Sequence, residues 1–359
     1  MSHKQKSNSF WMDWKWQLTN AFHTAGTIKE YIELPEFTAE SEYIALTPYM
    51  LDTIVQAKPE HQAALIKQFI PIIANGNFYF SEIDSLNEAG ASVAENLVRK
   101  HKNRVALIAT SCCACFCQFC TRREIVYRSK NKNHMLQDAL KYIRAHPEIN
   151  DVLITGGDPL ILDTPVLEQL LEKLYAIEHI RVMRIGTRAP ITLPMRVNAE
   201  LIDMLLKYSP LYINIHVNHP AEITSESEKA ILSLANAGIP LGSQSVLLKG
   251  INDDAIILHE LYERLVRIKV RPYYLYQCDK MCGCENFYVP ITEGIKIINE
   301  LNYNLSGLAV PRYVVDSPDL SKLTIGPNNI HNMYADKIEF TNHEGQLYEY
   351  DIMPKGYAP

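Results

Sequence analysis

Cys113, Cys117 and Cys120 stand in one short run, Ser111-Cys-Cys-Ala-Cys-Phe-Cys-Gln-Phe-Cys-Thr-Arg-Arg123, at the spacing C-x-x-x-C-x-x-C. Three thiolates at that spacing can hold three corners of a [4Fe–4S] cluster and leave the fourth iron open. An open iron can bind a small molecule and pass an electron to it. The segment therefore points to radical chemistry with S-adenosylmethionine (SAM), a cofactor whose reactivity a protein orients rather than supplies. A zinc knuckle is the competing reading, but zinc takes four ligands and favours paired groups. Cys278, Cys282 and Cys284 form a second group that could assist, whereas Cys112 and Cys115 fit no corner of the motif and read as packing residues.

A second chemistry-bearing run is Gly156-Gly157-Asp158-Pro159. Its glycines would let a ligand approach the backbone closely, and the Asp158 carboxylate could accept hydrogen bonds from a ligand ammonium. A tight turn before a helix is the plainer reading of the same residues. His216 and His219 attract attention, but ring stacking or loop hydrogen bonding accounts for each without a proton-transfer role.

The elements that must position these groups follow a clear rhythm. Up to residue 100 the chain reads as helix and loop, with helical periodicity at Phe10–Phe22, Pro48–Ala57 and Glu60–Ile73 and nothing that alternates like a strand. From Arg104 short β-rich runs recur at Arg104–Thr110, Asp151–Thr155, Arg181–Ile185, Leu211–Val217, Leu241–Leu247 and Val270–Tyr276. Amphipathic stretches separate them: His134–His146, Pro165–Ile177, Glu200–Lys207, Ser227–Ala237 and Asp254–Lys269. Alternation of this kind predicts βαβ units on a parallel sheet, here a partial (βα)6 barrel over residues 101–305. A helical extension (1–100) would precede it. A short β-rich segment (306–359) would follow, with Tyr313–Val315 and a hairpin of Lys337–Thr341 and Gln346–Asp351 around Asn342-His-Glu-Gly345. The cysteine run follows the first strand and Gly156-Gly157 the second, and other unusual residues fall at the ends of later strands. Parallel strands bring those ends to one face, where barrel active sites are built.

Bulk properties narrow the class. Apolar residues at 47% and charged residues at 21% of 359 describe an ordinary globular chain. A net charge of −6 and a pI near 6.1 argue against nucleic-acid binding through phosphates. The polar start Met1-Ser-His-Lys-Gln-Lys-Ser-Asn8 lacks a signal-peptide core, and no apolar run spans a membrane, so a cytoplasmic protein without membrane partners is expected. The eight cysteines are clustered rather than spread as in a disulfide framework, which favours metal ligation.

Taken together, these residues resemble the lysine 2,3-aminomutase family of radical SAM, pyridoxal-phosphate (PLP) enzymes. The likeness runs through Asp13-Trp-Lys-Trp-Gln-Leu-Thr-Asn20, Thr47-Pro-Tyr49, Cys120-Thr-Arg-Arg123, Gly156-Gly-Asp-Pro-Leu160 and Arg184-Ile-Gly-Thr-Arg188. It continues through His219-Pro220, Gln244-Ser-Val-Leu-Leu248, Lys249-Gly-Ile-Asn-Asp253, Pro272-Tyr-Tyr274, Gln277-Cys-Asp279 and Tyr313-Val-Val-Asp316. The resemblance implies that Cys113, Cys117 and Cys120 ligate the cluster and that Gly156, Gly157 and Asp158 line the methionine end of SAM. Reduction would release a 5′-deoxyadenosyl radical that takes a hydrogen from the substrate β-carbon, after which the nitrogen migrates from C2 to C3. Arg122 matches the arginine that holds the substrate carboxylate, and Asp279 and Asp316 match the pair that receives the distal ammonium of lysine. Lys322 matches the lysine that carries PLP, and Arg104, Gln244 and Tyr276 match further PLP contacts. A basic amino acid is the implied substrate, a small flavodoxin or ferredoxin the implied electron donor, and self-association the family habit.

The departures are as informative. The family's PLP lysine follows Pro and four glycines, whereas Val315-Asp-Ser-Pro-Asp-Leu-Ser-Lys322 is one residue shorter and holds no glycine. Lys100 and His101 replace the usual Arg and Tyr, and Lys100 could still meet a phosphate as a point charge. The chain ends soon after the hairpin, so the zinc-assisted intersubunit contact of some relatives is not expected. The expected activity is thus lysine 2,3-aminomutation, with arginine as the second substrate. The altered Lys322 loop keeps open a PLP-independent desaturase or epimerase, and a non-catalytic iron–sulfur or zinc protein is the reading outside enzymes.

Overall fold

Strand Arg104–Thr110 alternates Val105, Leu107 and Ala109, all buried in the main core, with Arg104 and Ala106 on the opposite face. That period of two is the rule for every strand that follows, because successive side chains leave a strand on opposite sides. The protein was analysed as a computed structural model that describes residues 9–35, 38, 44–72, 80, 83–128, 136–317, 321–326, 330–341 and 346–353.

One sheet of ten strands runs in sequence order. Two short antiparallel strands, β1 (Ser92–Ala94) and β2 (Leu97–Val98), lead into β3 (Arg104–Thr110). Then β4 (Asp151–Gly156), β5 (Val182–Thr187), β6 (Leu211–His216), β7 (Leu241–Leu247), β8 (Arg271–Gln277) and β9 (Arg312–Ser317) continue it in parallel. An antiparallel β10 (Ser321–Thr324) closes the series. The result is a partial α/β barrel. A separate sheet joins β11 (Ile330–Met333), β12 (Lys337–Thr341) and β13 (Leu347–Asp351). The β12–β13 pairing is the expected hairpin, with its turn at 342–345 outside the described residues.

Two strand assignments differ from expectation. β1 and β2 lie inside the segment read as helix and loop; with three and two residues they are too short to show a period. The sheet also runs past residue 306 through β9 and β10, tied to β8 by a helix, Ile291–Asn304, that the strand count did not include.

Helices cover the outer face. Thr164–Tyr175 buries Leu167, Leu170, Leu171 and Leu174, and Ala255–Arg267 buries Leu258, Leu261, Tyr262 and Leu265, both at helical spacing. Asn198, Thr224 and Asp254 cap three of these helices through their side chains, each worth about 1 kcal/mol. Among the described residues no helix is long and apolar enough to cross a membrane.

The other face of the sheet is different. Arg104 and Ala106, Leu153 and Thr155, Arg184 and Gly186, Asn214 and His216, Gln244, then Tyr274 and Tyr276 alternate with the core residues and face the lumen. Register places Ala106, Leu153 and Arg184 level with one another, and Gln244 level with Tyr274. A barrel filled by aliphatic layers would have apolar residues here. This lumen carries charge and phenols instead.

The N-terminal helices Pro48–Gln56 and Pro59–Phe69 form their own core with Ile28, Ile44, Leu46 and Leu65. Cys115 belongs to that core and accepts a hydrogen bond from the Thr47 amide, in keeping with a packing role. The extension grips the cysteine loop through its backbone: Phe116 N–H donates to the Ala45 carbonyl and Gln118 N–H to the Gln68 carbonyl, both at 2.9 Å.

Candidate active site

The cysteine loop leaves β3 at Thr110 and turns back over the mouth of the barrel. Its path is held by the turn after β4. Gly157 N–H donates to the Thr110 carbonyl at 2.6 Å, and Asp158 N–H to the Cys112 carbonyl at 2.7 Å. These contacts explain the glycine pair. A Cβ on Gly157 would overlap the Cys112 carbonyl, and one on Gly156 the Thr110 carbonyl, while Gly156 also takes φ +125°. The two glycines thus allow a close approach to the cysteine loop itself. Asp158 is likewise a bracket. Its carboxylate accepts from Leu160 N–H, from Thr187 Oγ1 at 2.7 Å and from Arg188 N–H at 2.8 Å, tying the turn after β4 to the end of β5.

Cys113, Cys117 and Cys120 meet in this layer. Burial pushes all three thiols up, Cys120 to about 12, and the Asp158, Cys120 and Cys117 charges add to the effect at Cys113. Half-buried thiols shifted in this way resist ionisation until a metal takes their protons' place, because thiolate is the ligating form. Arg188 opposes the trend at Cys117, where its Nη1 lies 2.8 Å from Sγ. Among the described residues, no three His, Cys, Asp or Glu side chains stand close enough to share a single ion. A cubane puts each cysteine on a different iron, so its ligands need not crowd around one point.

Below this layer the lumen holds a cavity of about 160 Å³. Lys100, Arg104, Arg122 and Gln244 line it, and so do Tyr276, Asp316 and Lys322. Asp279 lies outside the lining, although its ionisation responds to Asp316, Lys322 and Lys100. Gly156, Gly157, Asp158 and the three cysteines belong to the mouth above. Arg122 joins the two layers: two residues past Cys120, its Nη1 reaches down to Thr155 Oγ1 on β4 at 2.9 Å.

Several neighbours had no local signature. Glu88 takes Arg122 in a two-point ion pair, Oε1 to Nη2 at 2.6 Å and Oε2 to Nε at 2.8 Å. Burial pushes the Glu88 carboxyl up, but Arg122 outweighs it and holds the group below the ordinary range. The same pairing overrides the burial of Arg122 and keeps its guanidinium charged. Arg184 bonds Asp151 at 2.8 Å, and Tyr273 and Tyr274 form an aromatic wall. Lys322 pairs in register with Asp316 across β9 and β10 and donates to both carboxylate oxygens, at 2.8 and 2.6 Å. Its ammonium lies 4.6 Å from the Tyr276 ring centre. Residues 318–320, which include the Asp319 and Leu320 that replace family glycines, lie outside the described residues.

Asp279 is the most perturbed acid of the site. Burial, then repulsion from Asp316, pushes its carboxyl up to about 7, against the pull of Lys322 and Lys100. His101 is held neutral near 4 by burial and by Arg104, which bonds its ring at 2.9 Å. The two histidines at the mouth are held by packing contacts: His216 stacks on Phe119, and His219 accepts from Ala221 N–H and meets the His61 ring edge-to-face.

Residues 107–261, the span from β3 into the helix before β8, match the Radical SAM superfamily. The L-lysine 2,3-aminomutase of Clostridium subterminale is 40% identical, over 99% of this chain and 88% of that protein. That of Acetoanaerobium sticklandii is 39% identical over 96% and 86%. The chain belongs to the lysine 2,3-aminomutase family of radical SAM enzymes. The family also includes the glutamate 2,3-aminomutase of Clostridioides difficile, 35% identical over 96% of this chain and 83% of that one. An enzyme of this family is an isomerase that moves an amino group and works with a [4Fe–4S] cluster and SAM. The three-thiol loop, with one layer of the mouth above a polar lumen, suits both.

Proposed function

We propose that this aminomutase acts on a free basic α-amino acid, lysine first and arginine second, moving its amino group from C2 to C3 with PLP carried on Lys322. The observation that carries the reading is the convergence of Arg122, Asp316 and Lys322 on one lumen cavity, with Asp279 behind them.

Arg122 has five N–H donors, of which two serve Glu88 and one serves Thr155. Two remain for the carboxylate of an amino acid, and Glu88 keeps the guanidinium plane fixed while it binds. Asp279 and Asp316 repel each other across the same site, so a cationic side chain between them relieves an existing cost. A glutamate side chain would add a third carboxylate there, which favours a basic over an acidic substrate.

PLP, when bound, supplies an aldehyde that takes up amino groups and a conjugated ring that spreads an unpaired electron. Lys100 and Arg104 suit its phosphate. Among the described residues they are the cavity cations with no carboxylate ion pair, since Arg122, Arg184 and Lys322 each have one. Lys322 reaches the cavity through the β9–β10 pairing. Asp316 holds its amine and is released for the substrate when that amine is used. Gln244 and Tyr276 complete the floor, with Gly156, Gly157 and Asp158 shaping the mouth for SAM. A flavodoxin or ferredoxin is the class of donor proposed for the cluster, and self-association the proposed assembly.

Reconstituted enzyme, reduced with dithionite in the presence of SAM and PLP, should convert lysine to β-lysine, or arginine to β-arginine, and leave glutamate unchanged. A 3-amino product from glutamate alone would overturn the substrate assignment. Release of 5′-deoxyadenosine with no 3-amino product from any of the three, in a protein that binds no PLP, would favour the PLP-independent desaturase or epimerase reading.

A further inference from the structure

Arg188 follows β5 and is almost wholly buried, yet it touches no part of the lumen cavity. Its guanidinium has two faces of opposite surroundings. Nη1 lies 2.8 Å from the Cys117 sulfur. Nη2 donates at 2.6 Å to Glu222 Oε2 and at 2.6 Å to Gln68 Oε1. The plane rests on Phe69, 4.6 Å away, and Phe119, 5.6 Å away. Glu222 is fully buried, and its second oxygen accepts from Asn218 N–H, His219 N–H and Gln68 Nε2. A buried ion pair is no cheap way to gain stability, since desolvation cancels much of the attraction. Its orientation, with the cation toward the sulfur and the carboxylate away from it, is the feature that calls for a function.

We propose that Arg188 is a positioning residue for the iron–sulfur cluster: its guanidinium hydrogen-bonds the Cys117 sulfur and makes the cluster easier to reduce. The proposal rests on Cys117 being a cluster ligand. The electron comes from the external donor and no bond to Arg188 is made or broken. The reduced cluster carries one more negative charge than the oxidised one, so a nearby donor and positive charge stabilise the reduced form more. Arg188 itself is almost wholly buried, and buried charges are screened by salt much less than exposed ones. Asp158 accepts from the Arg188 backbone N–H, so the cation is also held in register with the turn after β4.

The test is a redox titration of the full-length reconstituted protein, followed by the electron paramagnetic resonance of the reduced cluster, without amino acid. Arg188→Gln keeps a donor but loses the charge; its reduced-to-oxidised ratio at a fixed poise should fall about tenfold, equivalent to a midpoint about 59 mV more negative. Arg188→Lys should stay within about threefold of wild type, a range set by keeping the charge while losing the planar fork. Glu222→Gln leaves the guanidinium uncompensated and should shift the midpoint the other way. Equal midpoints for wild type, Arg188→Gln and Glu222→Gln, each with full iron content, would overturn the proposal. If Arg188→Gln holds no iron, Glu222→Gln decides alone, and an unchanged midpoint there overturns it. A Cys117→Ser protein with wild-type iron content and spectrum would instead overturn the ligand assignment beneath it.

Discussion

At Asp279 burial and the Asp316 charge hold the carboxyl near 7, so its charge changes within the range where the enzyme can be assayed. A cationic side chain binds the ionised form. The Michaelis constant for a basic amino acid should therefore fall as pH rises from about 6 to 8 through that value, and Asp279→Asn should flatten the profile. The same shift has a stability consequence of opposite sense. The folded pKa lies above the unfolded value, so between about 4 and 7 the unfolded chain binds fewer protons and stability drains away as pH rises. Asp279→Asn should melt higher than wild type at pH 8, with the gap closing as pH falls toward 4; a constant gap would mean the carboxyl is not the titrating group. Arg122 makes a second case. Lysine in its place keeps the charge but loses the planar fork that serves Glu88 and Thr155 and is proposed to serve the substrate carboxylate. Arg122→Lys should raise the Michaelis constant about tenfold or more, on the order of the 1.5–3 kcal/mol of a charged hydrogen bond, with the cluster spectrum unchanged.

The turn after β4 is where an element, rather than a side chain, decides the chemistry. Gly156-Gly157 lets two backbones touch, and the cysteine loop takes its shape from that contact. Gly157→Ala forces a Cβ onto the Cys112 carbonyl, a strain of about 1–3 kcal/mol in a packed site. The variant should melt lower and take up less iron, while the far-ultraviolet circular dichroism stays that of the wild type. Iron loading equal to wild type would show that the loop finds its shape without the turn. The β9–β10 hairpin is the other deciding element. Its register, Lys322 opposite Asp316, sets where the amine lies, and no glycine is needed to bring it there.

Across the whole molecule, two cores meet at the cysteine loop. The barrel supplies Arg188 and Glu222 from one side, and the N-terminal helices supply Gln68 and Phe69 from the other. Phe69 is fully buried in the N-terminal core and lies under the Arg188 guanidinium. Phe69→Ala should cost about 3–5 kcal/mol in urea unfolding and lower iron retention together, because one cavity loosens both the extension and the loop. A loss of stability with iron content intact would separate the two cores.

What could be read from the chain alone was what depends on near neighbours. Cys113, Cys117 and Cys120 lie within eight residues, so one short loop carries all three sulfurs. Strand alternation divides each β-run into a core face and a lumen face, which is why the barrel was legible, while two- and three-residue strands such as β2 and β1 were not. Tertiary structure alone decided the pairs that join distant segments: Glu88 with Arg122, 34 residues apart, and Cys117 with Arg188, 71 apart. It also showed Gly157 and Asp158 bracketing the cysteine loop, and gave Asp279 a carboxyl that titrates near neutrality. Periodicity tells which way a side chain faces. Only the packed chain brings to it the charge, the carbonyl or the low dielectric that sets what it does.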